Sequence, residues 1–445
     1  MKTFLRVASA TLLISSSTAG LTGCSISSIG DVWIITDGGD LFDKAFNQQV
    51  LEGAQEFTDN FNKNRTIIGK FPGDEIWQSQ KMRCRWIISR DNDVSTLQNN
   101  YNLAAFAGAK TIVLAGFHHL EALTPKIQNF YKALGIRFIL VDAQLENPID
   151  VASLTYSAEQ SGFLAGLAGA IWLVANHEAY DSNGLKMSTF GGLPAQTIVS
   201  YMMGYYWGVY YFNNFRTNND LLKMVNDLRP NTNPMSSSDF TSKYKISFDK
   251  IAKQFTGGFE SGTKDSKSIT SQLIDGNRED IVMPVAGAQT IDLLSTIKNS
   301  SINRNAKVIG VDVDQTKQYD YAKNTFLTSA LKGIHASVSN WLWYAFNLNY
   351  DKSVVQPLND ASKYFDGTKP QVSLGKGYTG ISDNDAINLI YQNLVSASYE
   401  LLAQKVTAAF NILSNDLATN SSSSKWEDAW QTKIDDKELK YKPKF

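Results

Sequence analysis

Cysteine and histidine are scarce: in 445 residues there are two of the first and four of the second. Two cysteines can form at most one disulfide, so a fold that depends on staples is excluded, and without Cys/His clusters at ligand spacing no metal site is expected. Charge of one sign is missing too, since 42 Lys+Arg against 43 Asp+Glu leave a net charge of -1. Such a chain presents no field for a polyanion, and nucleic acid is not an expected partner. Beyond the N-terminal segment no run of ~18 apolar residues occurs, so no later segment is predicted to span a bilayer. What is present is an ordinary globular composition, 43% hydrophobic and 19% charged, over a length that suggests two or three domains of ~150 residues.

Residues 1–24 have the layout of an export signal: Lys2 and Arg6, then an apolar stretch from Val7 to Ile14, then small residues up to Cys24. Leu21-Thr22-Gly23-Cys24 resembles the lipobox of bacterial lipoproteins, which implies cleavage before Cys24 and acylation of its thiol. Residues 25–30 would then be a short tether, and Cys84 would be left as an unpaired thiol at the start of a strand.

From residue 31 onward short β-rich runs alternate with helical patterns, the mark of βαβ units and a parallel sheet. Val32–Thr36, Trp86–Ile88, Thr111–Leu114 and Arg137–Val141 are predicted strands of a first lobe. Lys186–Gly191, Lys245–Phe248, Ile281–Val285 and Lys307–Val311 are predicted strands of a second. Residues 60–82 and the polar stretch 216–242 are expected to be surface excursions. In the aromatic run Tyr201–Phe212, too short to span, Gly204 and Gly208 are expected to permit close packing of a core helix on a sheet.

Open α/β sheets bind ligands beyond the carboxyl ends of their strands. The first such loop, Thr36 to Gln48, combines glycines, three carboxylates, two aromatics and two amides. It has neither G-x-G-x-x-G nor a Gly-Lys-Ser/Thr ending, and its aspartates would repel phosphate, so a neutral, hydroxyl-rich or heterocyclic ligand fits better. Other strand ends carry Gly116-Phe117-His118-His119, Asp142, Thr256-Gly257-Gly258-Phe259, Ala286-Gly287-Ala288-Gln289, Asp312-Val313-Asp314-Gln315 and Lys332. Adjacent His118 and His119 are not expected to share a metal ion.

Together these segments resemble the basic membrane protein family of bacterial substrate-binding lipoproteins, the nucleoside receptors of ABC importers. Asp37-Gly38-Gly39 and Asp43-Lys44-Ala45-Phe46-Asn47-Gln48 are similar to the family's opening signature, with Ala45 in place of Ser. Further likenesses are Glu159–Gly166, Gly257-Gly258-Phe259, Gly310–Gln315 and Thr328–Lys332, while Ala288-Gln289 departs from the small residues usual there.

The resemblance implies an α/β, type I periplasmic-binding-protein fold, two doubly wound lobes joined by crossover strands. The implied divisions are 31–153 for the N-terminal lobe, 154–325 for the C-terminal lobe, 326–360 returning to the first, and 361–382 for the last crossover. Residues 383–445 are a helical extension without an assigned role. By carry-over Phe46 and Phe259 would stack on the base, Asn47 and Asp142 would bond its edge, and Asp312 with Lys332 would hold the ribose. Asp37 and Gly287 are second-rank ligand contacts. The implied function is a lipid-anchored receptor on the outer face of the cell membrane, a monomer with no cofactor and no catalysis, which passes a nucleoside, a purine by preference, to an ABC permease. Two rivals remain open: a secreted nucleosidase or glycosidase using Asp37 and Asp43 as acid and base, and a surface adhesin that has kept the fold without the ligand.

Overall fold

The computed structural model describes residues 31–68, 81–180, 184–229, 233–346, 372–374, 378–418, 425–433 and 441–445. The export signal, Cys24, the tether, residues 69–80 of the first expected excursion and all of 347–371 lie outside them.

The first sheet contains β1 (Asp31–Thr36), β2 (Cys84–Ile87), β3 (Ala109–Ala115), β4 (Arg137–Val141), β5 (Val151–Tyr156) and β11 (Val372–Leu374), in the order 11-5-4-3-1-2. The second contains β6 (Leu185–Gly191), β7 (Ile246–Phe248), β8 (Ile281–Val285), β9 (Lys307–Asp312), β10 (Phe326–Lys332) and β12 (Thr379–Ile381), in the order 12-10-9-8-6-7. The orders correspond strand for strand, and all pairings are parallel except β10 with β12. The central strands are apolar on both faces because helices cover both. The chain passes between sheets after Tyr156, after Lys332 and between Leu374 and Thr379. This is the type I periplasmic-binding-protein fold, and each sheet turns its strand C-termini toward the other. The return to the first lobe comes after Lys332, not at 326: β10 pairs with β9 from Phe326 to Leu331, and only the following helix packs on the first lobe.

The helices that matter below are α1 (Phe46–Ile68), α2 (Val94–Phe106), α3 (Pro125–Ala133), α4 (Ala158–Ala175), α5 (Gln196–Asn214), α6 (Asn219–Leu228), α7 (Ile334–Ala345), α8 (Asn388–Leu394) and α9 (Ala397–Ala418). The excursion expected at 216–242 is partly core: α6 is amphipathic and buries Leu221, Met224 and Val225. Helices α4 and α5 touch backbone to backbone. A Cβ on Gly162 or Gly166 would meet the carbonyls of Tyr201 and Tyr205 at 2.3 and 2.2 Å, and one on Gly204 or Gly208 those of Glu159 and Phe163 at 2.1 and 2.3 Å. The glycine spacing thus serves a helix partner and not the sheet.

Helix α4 is the one described helix long and apolar enough to cross a membrane, and 89% of that stretch is buried inside the protein. The C-terminal extension explains why. Buried Val406, Phe410 and Leu413 of α9 belong to the same apolar cluster as Phe163, Leu167 and Ile171 of α4. Thr407 donates to Glu159 at 2.6 Å and accepts from Gln160 at 2.8 Å. Trp430 is fully buried, and Phe445 stacks on Phe163 at 5.5 Å between centroids.

Candidate functional site

A cavity of about 840 Å³ lies between the facing strand ends, and all eight predicted ligand residues, Asp37, Phe46, Asn47, Asp142, Phe259, Gly287, Asp312 and Lys332, line it. Its size is within the range of small-molecule sites.

The loop after β1 is shaped by its own polar groups. Asp43 accepts the backbone N–H groups of Ala45, Asn47 and Gln48, capping α1. Burial raises its carboxyl to about 6 in spite of those bonds. Asn47 donates to the carbonyls of Gly38 and Asp40 at 3.3 and 3.2 Å, whereas its buried Oδ1 has no partner among the described residues. Phe46 is half-buried against the first lobe's core. Asp37 accepts from the backbone N–H of His118 at 2.9 Å and bonds its Nδ1 at 2.8 Å, so it braces the neighbouring loop. A Cβ at Gly116 would lie 2.2 Å from that carboxylate, which, with a φ of +113°, makes glycine obligatory. His119 points into the core: its Nε2 meets the Ile35 carbonyl and its Nδ1 the Tyr101 hydroxyl, and burial lowers it to about 4.

At the cavity floor the two sheets contribute equivalent residues. Asp142 follows β4 and Asp312 ends β9, strands in matching positions, and each has a φ of 65°, which aspartate tolerates better than most residues. Lys332, at the end of β10, lies between them, 2.8 Å from Asp142 and 3.7 Å from Asp312, with its side chain 2% exposed. Burial opposes its charge, but the two carboxylates outweigh burial and its pKa is raised. Asp312 is raised by burial, with Lys332 pulling the other way. The lysine expected to donate to a sugar is therefore also the counter-ion that joins the lobes. Asp142 Oδ1 is buried without a partner among the described residues.

Three features escaped the sequence reading. Tyr201, read as plain core, lines the cavity, and its hydroxyl donates to Asp312 at 3.2 Å while its ring lies 4.8 Å from Lys332 Nζ. The available signal was that a buried tyrosine hydroxyl needs a partner. Gln289 donates to Thr256, Gly258 and Glu260, and so braces the loop that carries Phe259. The lobes also meet at the rim, where Lys44 Nζ reaches the Gln318 carbonyl at 3.4 Å and Phe117 meets Phe259 edge-on at 6.5 Å.

Two matching open sheets facing each other across such a cleft are the architecture shared with solute-binding proteins. A solved ABC transporter solute-binding protein from Aeropyrum pernix K1 superposes with a TM-score of 0.55 over 91% of both chains at 18% identity, a likeness of fold. Residues 31–220 match the family described as Bmp, ABC transporter substrate-binding protein PnrA-like. The ABC transporter nucleoside-binding protein BmpA of Lactococcus lactis subsp. cremoris is 25% identical over 84% of this chain and 87% of its own length. An uncharacterized lipoprotein of Mycoplasma pneumoniae is 24% identical over 63% of this chain, which spans 50% of that relative.

Proposed function

We propose that this substrate-binding protein takes a nucleoside, purine by preference, into the cleft and delivers it to an ABC permease while held at the outer face of the membrane by lipid on Cys24. One observation carries the ligand reading: a single cavity joins an aromatic face from each lobe, Phe46 and Phe259, to two buried acceptors, Asn47 Oδ1 and Asp142 Oδ1, that have no donor among the described residues. A flat heterocycle with N–H groups on its edge supplies what those groups need, namely stacking surface and donors. Asp312 then accepts from ribose hydroxyls while Lys332 donates to a ribose oxygen. Asp37 and Gly287 bound the cavity without taking a leading part.

A binding role also suits the carboxylates named as candidate acid and base. Asp37 and Asp43 are engaged by loop and helix-capping bonds, and the relative BmpA is a nucleoside-binding protein. Calorimetric titration of the purified protein with adenosine, guanosine, inosine, uridine, free bases and sugars tests the reading, with chromatography of the mixtures. Saturable binding of nucleosides without turnover is expected. Binding of sugars alone, or hydrolysis of the glycosidic bond, overturns it.

A further inference from the structure

Four exposed apolar side chains of the first lobe lie at one end of two neighbouring helices. Phe106 is 91% exposed, Leu103 59%, Phe130 53% and Leu134 49%. Asn102 of α2 accepts from the Tyr131 hydroxyl of α3 at 2.7 Å, so the helices lie side by side. Leu103 and Phe106 follow that contact on one helix, and Phe130 and Leu134 flank it on the other. Both helices end there, and helices of this fold run opposite to the strands they cover. The patch is therefore at the pole farthest from the cleft. Exposed apolar side chains grouped at one helix end in this way mark an interaction site.

That pole is also where the described chain begins. Asp31 N–H donates to Gly108 O at 3.1 Å, two residues beyond Phe106. Seven peptide steps separate Cys24 from Asp31, about 25 Å at full extension. Exposed Lys81, Lys110 and Lys132 lie on strand starts and helix ends of this pole. The carboxylate of Asp31 is paired with Arg83 and Arg85 at 3.0 Å, and that of Asp150 with Arg137 at 3.4 Å.

From this juxtaposition we infer that the pole rests on the lipid bilayer itself: Leu103, Phe106, Phe130 and Leu134 enter the headgroup region, and the lysines meet anionic lipid. The inference rests on the anchor at Cys24. A single lipidated residue brings the pole within a tether's length of the surface, and a shallow apolar patch ringed by cations then fixes which way the lobe faces. The cleft, at the opposite end of this lobe, is held away from the lipid.

The test uses the full lipidated chain in vesicles of phosphatidylcholine and phosphatidylglycerol, with an environment-sensitive dye on Phe106→Cys or, as control, on Ile302→Cys. The single other thiol, Cys84, is pushed up to about 12 by burial and reacts poorly with the dye. The dye at 106 should shift to the blue and be quenched by nitroxide-bearing lipid, more weakly at high salt, while the dye at 302 does neither. In Leu134→Cys carrying Leu103→Asp and Phe130→Asp the signal should vanish although the protein still floats with the vesicles. Flotation with a solvent-exposed dye at 106 overturns the inference alone. Failure to float overturns the anchor and the inference together. A blue shift that depends on protein concentration without vesicles overturns it in favour of a second copy of the chain.

Discussion

Replacement of Lys332 by methionine keeps most of the side-chain volume and removes the charge between Asp142 and Asp312. The ammonium is 2.8 and 3.7 Å from the two carboxylates and 2% exposed, so they are left facing each other with little water to screen them. Breaking a buried pair in this way costs about 3–5 kcal/mol. The carboxylates can escape by taking up protons, and their folded-state pKa values then rise above the unfolded ones. A group raised in this sense binds more protons when folded, so stability is recovered as pH falls through the folded value, at about 1.4 kcal/mol per pH unit and proton. Urea unfolding of wild type and Lys332→Met at pH 7.5 and pH 5.5 reads the effect. The mutant's deficit should shrink at the lower pH, and Asp142→Asn in the same chain should recover part of it at the higher. An equal deficit at both pH values, or none at all, would refute the description of the cavity floor.

Phe46→Ala and Phe259→Ala should each weaken nucleoside binding by about 5- to 150-fold, the equivalent of ~1–3 kcal/mol of stacking, whereas Phe46→Trp keeps most of the affinity in the same titration. Gln289→Ala should weaken binding and lower the melting temperature, because it releases the loop from Thr256 to Glu260 and empties a fully buried position. Burial raises Glu279 to about 8 and Asp280 and Glu159 to about 7. The melting temperature should therefore rise as pH falls from 8.5 to 6.5, and Glu279→Gln should flatten that slope in a thermal scan. Gly204→Ala places a methyl group 2.1 Å from the Glu159 carbonyl. It should lower stability by about 1–3 kcal/mol and also weaken binding, since Tyr201 lies one helical turn away.

Much of this architecture is legible in the chain because buried parallel strands are short apolar runs between helical patterns, and runs such as Arg137–Val141 and Ile281–Val285 match their strands end to end. Strand-end loops also announced where to look, and Asp142, Asp312 and Lys332 do converge on one cavity. What stayed hidden were relations between residues far apart in sequence. Nothing local to Lys332 says that two aspartates from different sheets will hold it. Tyr201 reads as core because it is core on one side and cavity wall on the other. The polar composition around α6 masked the spacing of Leu221, Met224 and Val225, and the apolar face that α9 covers is recognisable only once α4 is in place.

The C-terminal extension separates the two ends of the described chain between the lobes. Asp31 opens the first sheet, whereas Phe445 is wedged against Phe163, Tyr211 and Phe215 on the helices of the second lobe. Each end thus travels with a different half of the molecule, and any hinge motion of the cleft is transmitted to the distance between them. A donor dye near residue 31 and an acceptor after residue 445 would form a built-in ruler for opening and closing, with no label inside the cleft to disturb the ligand.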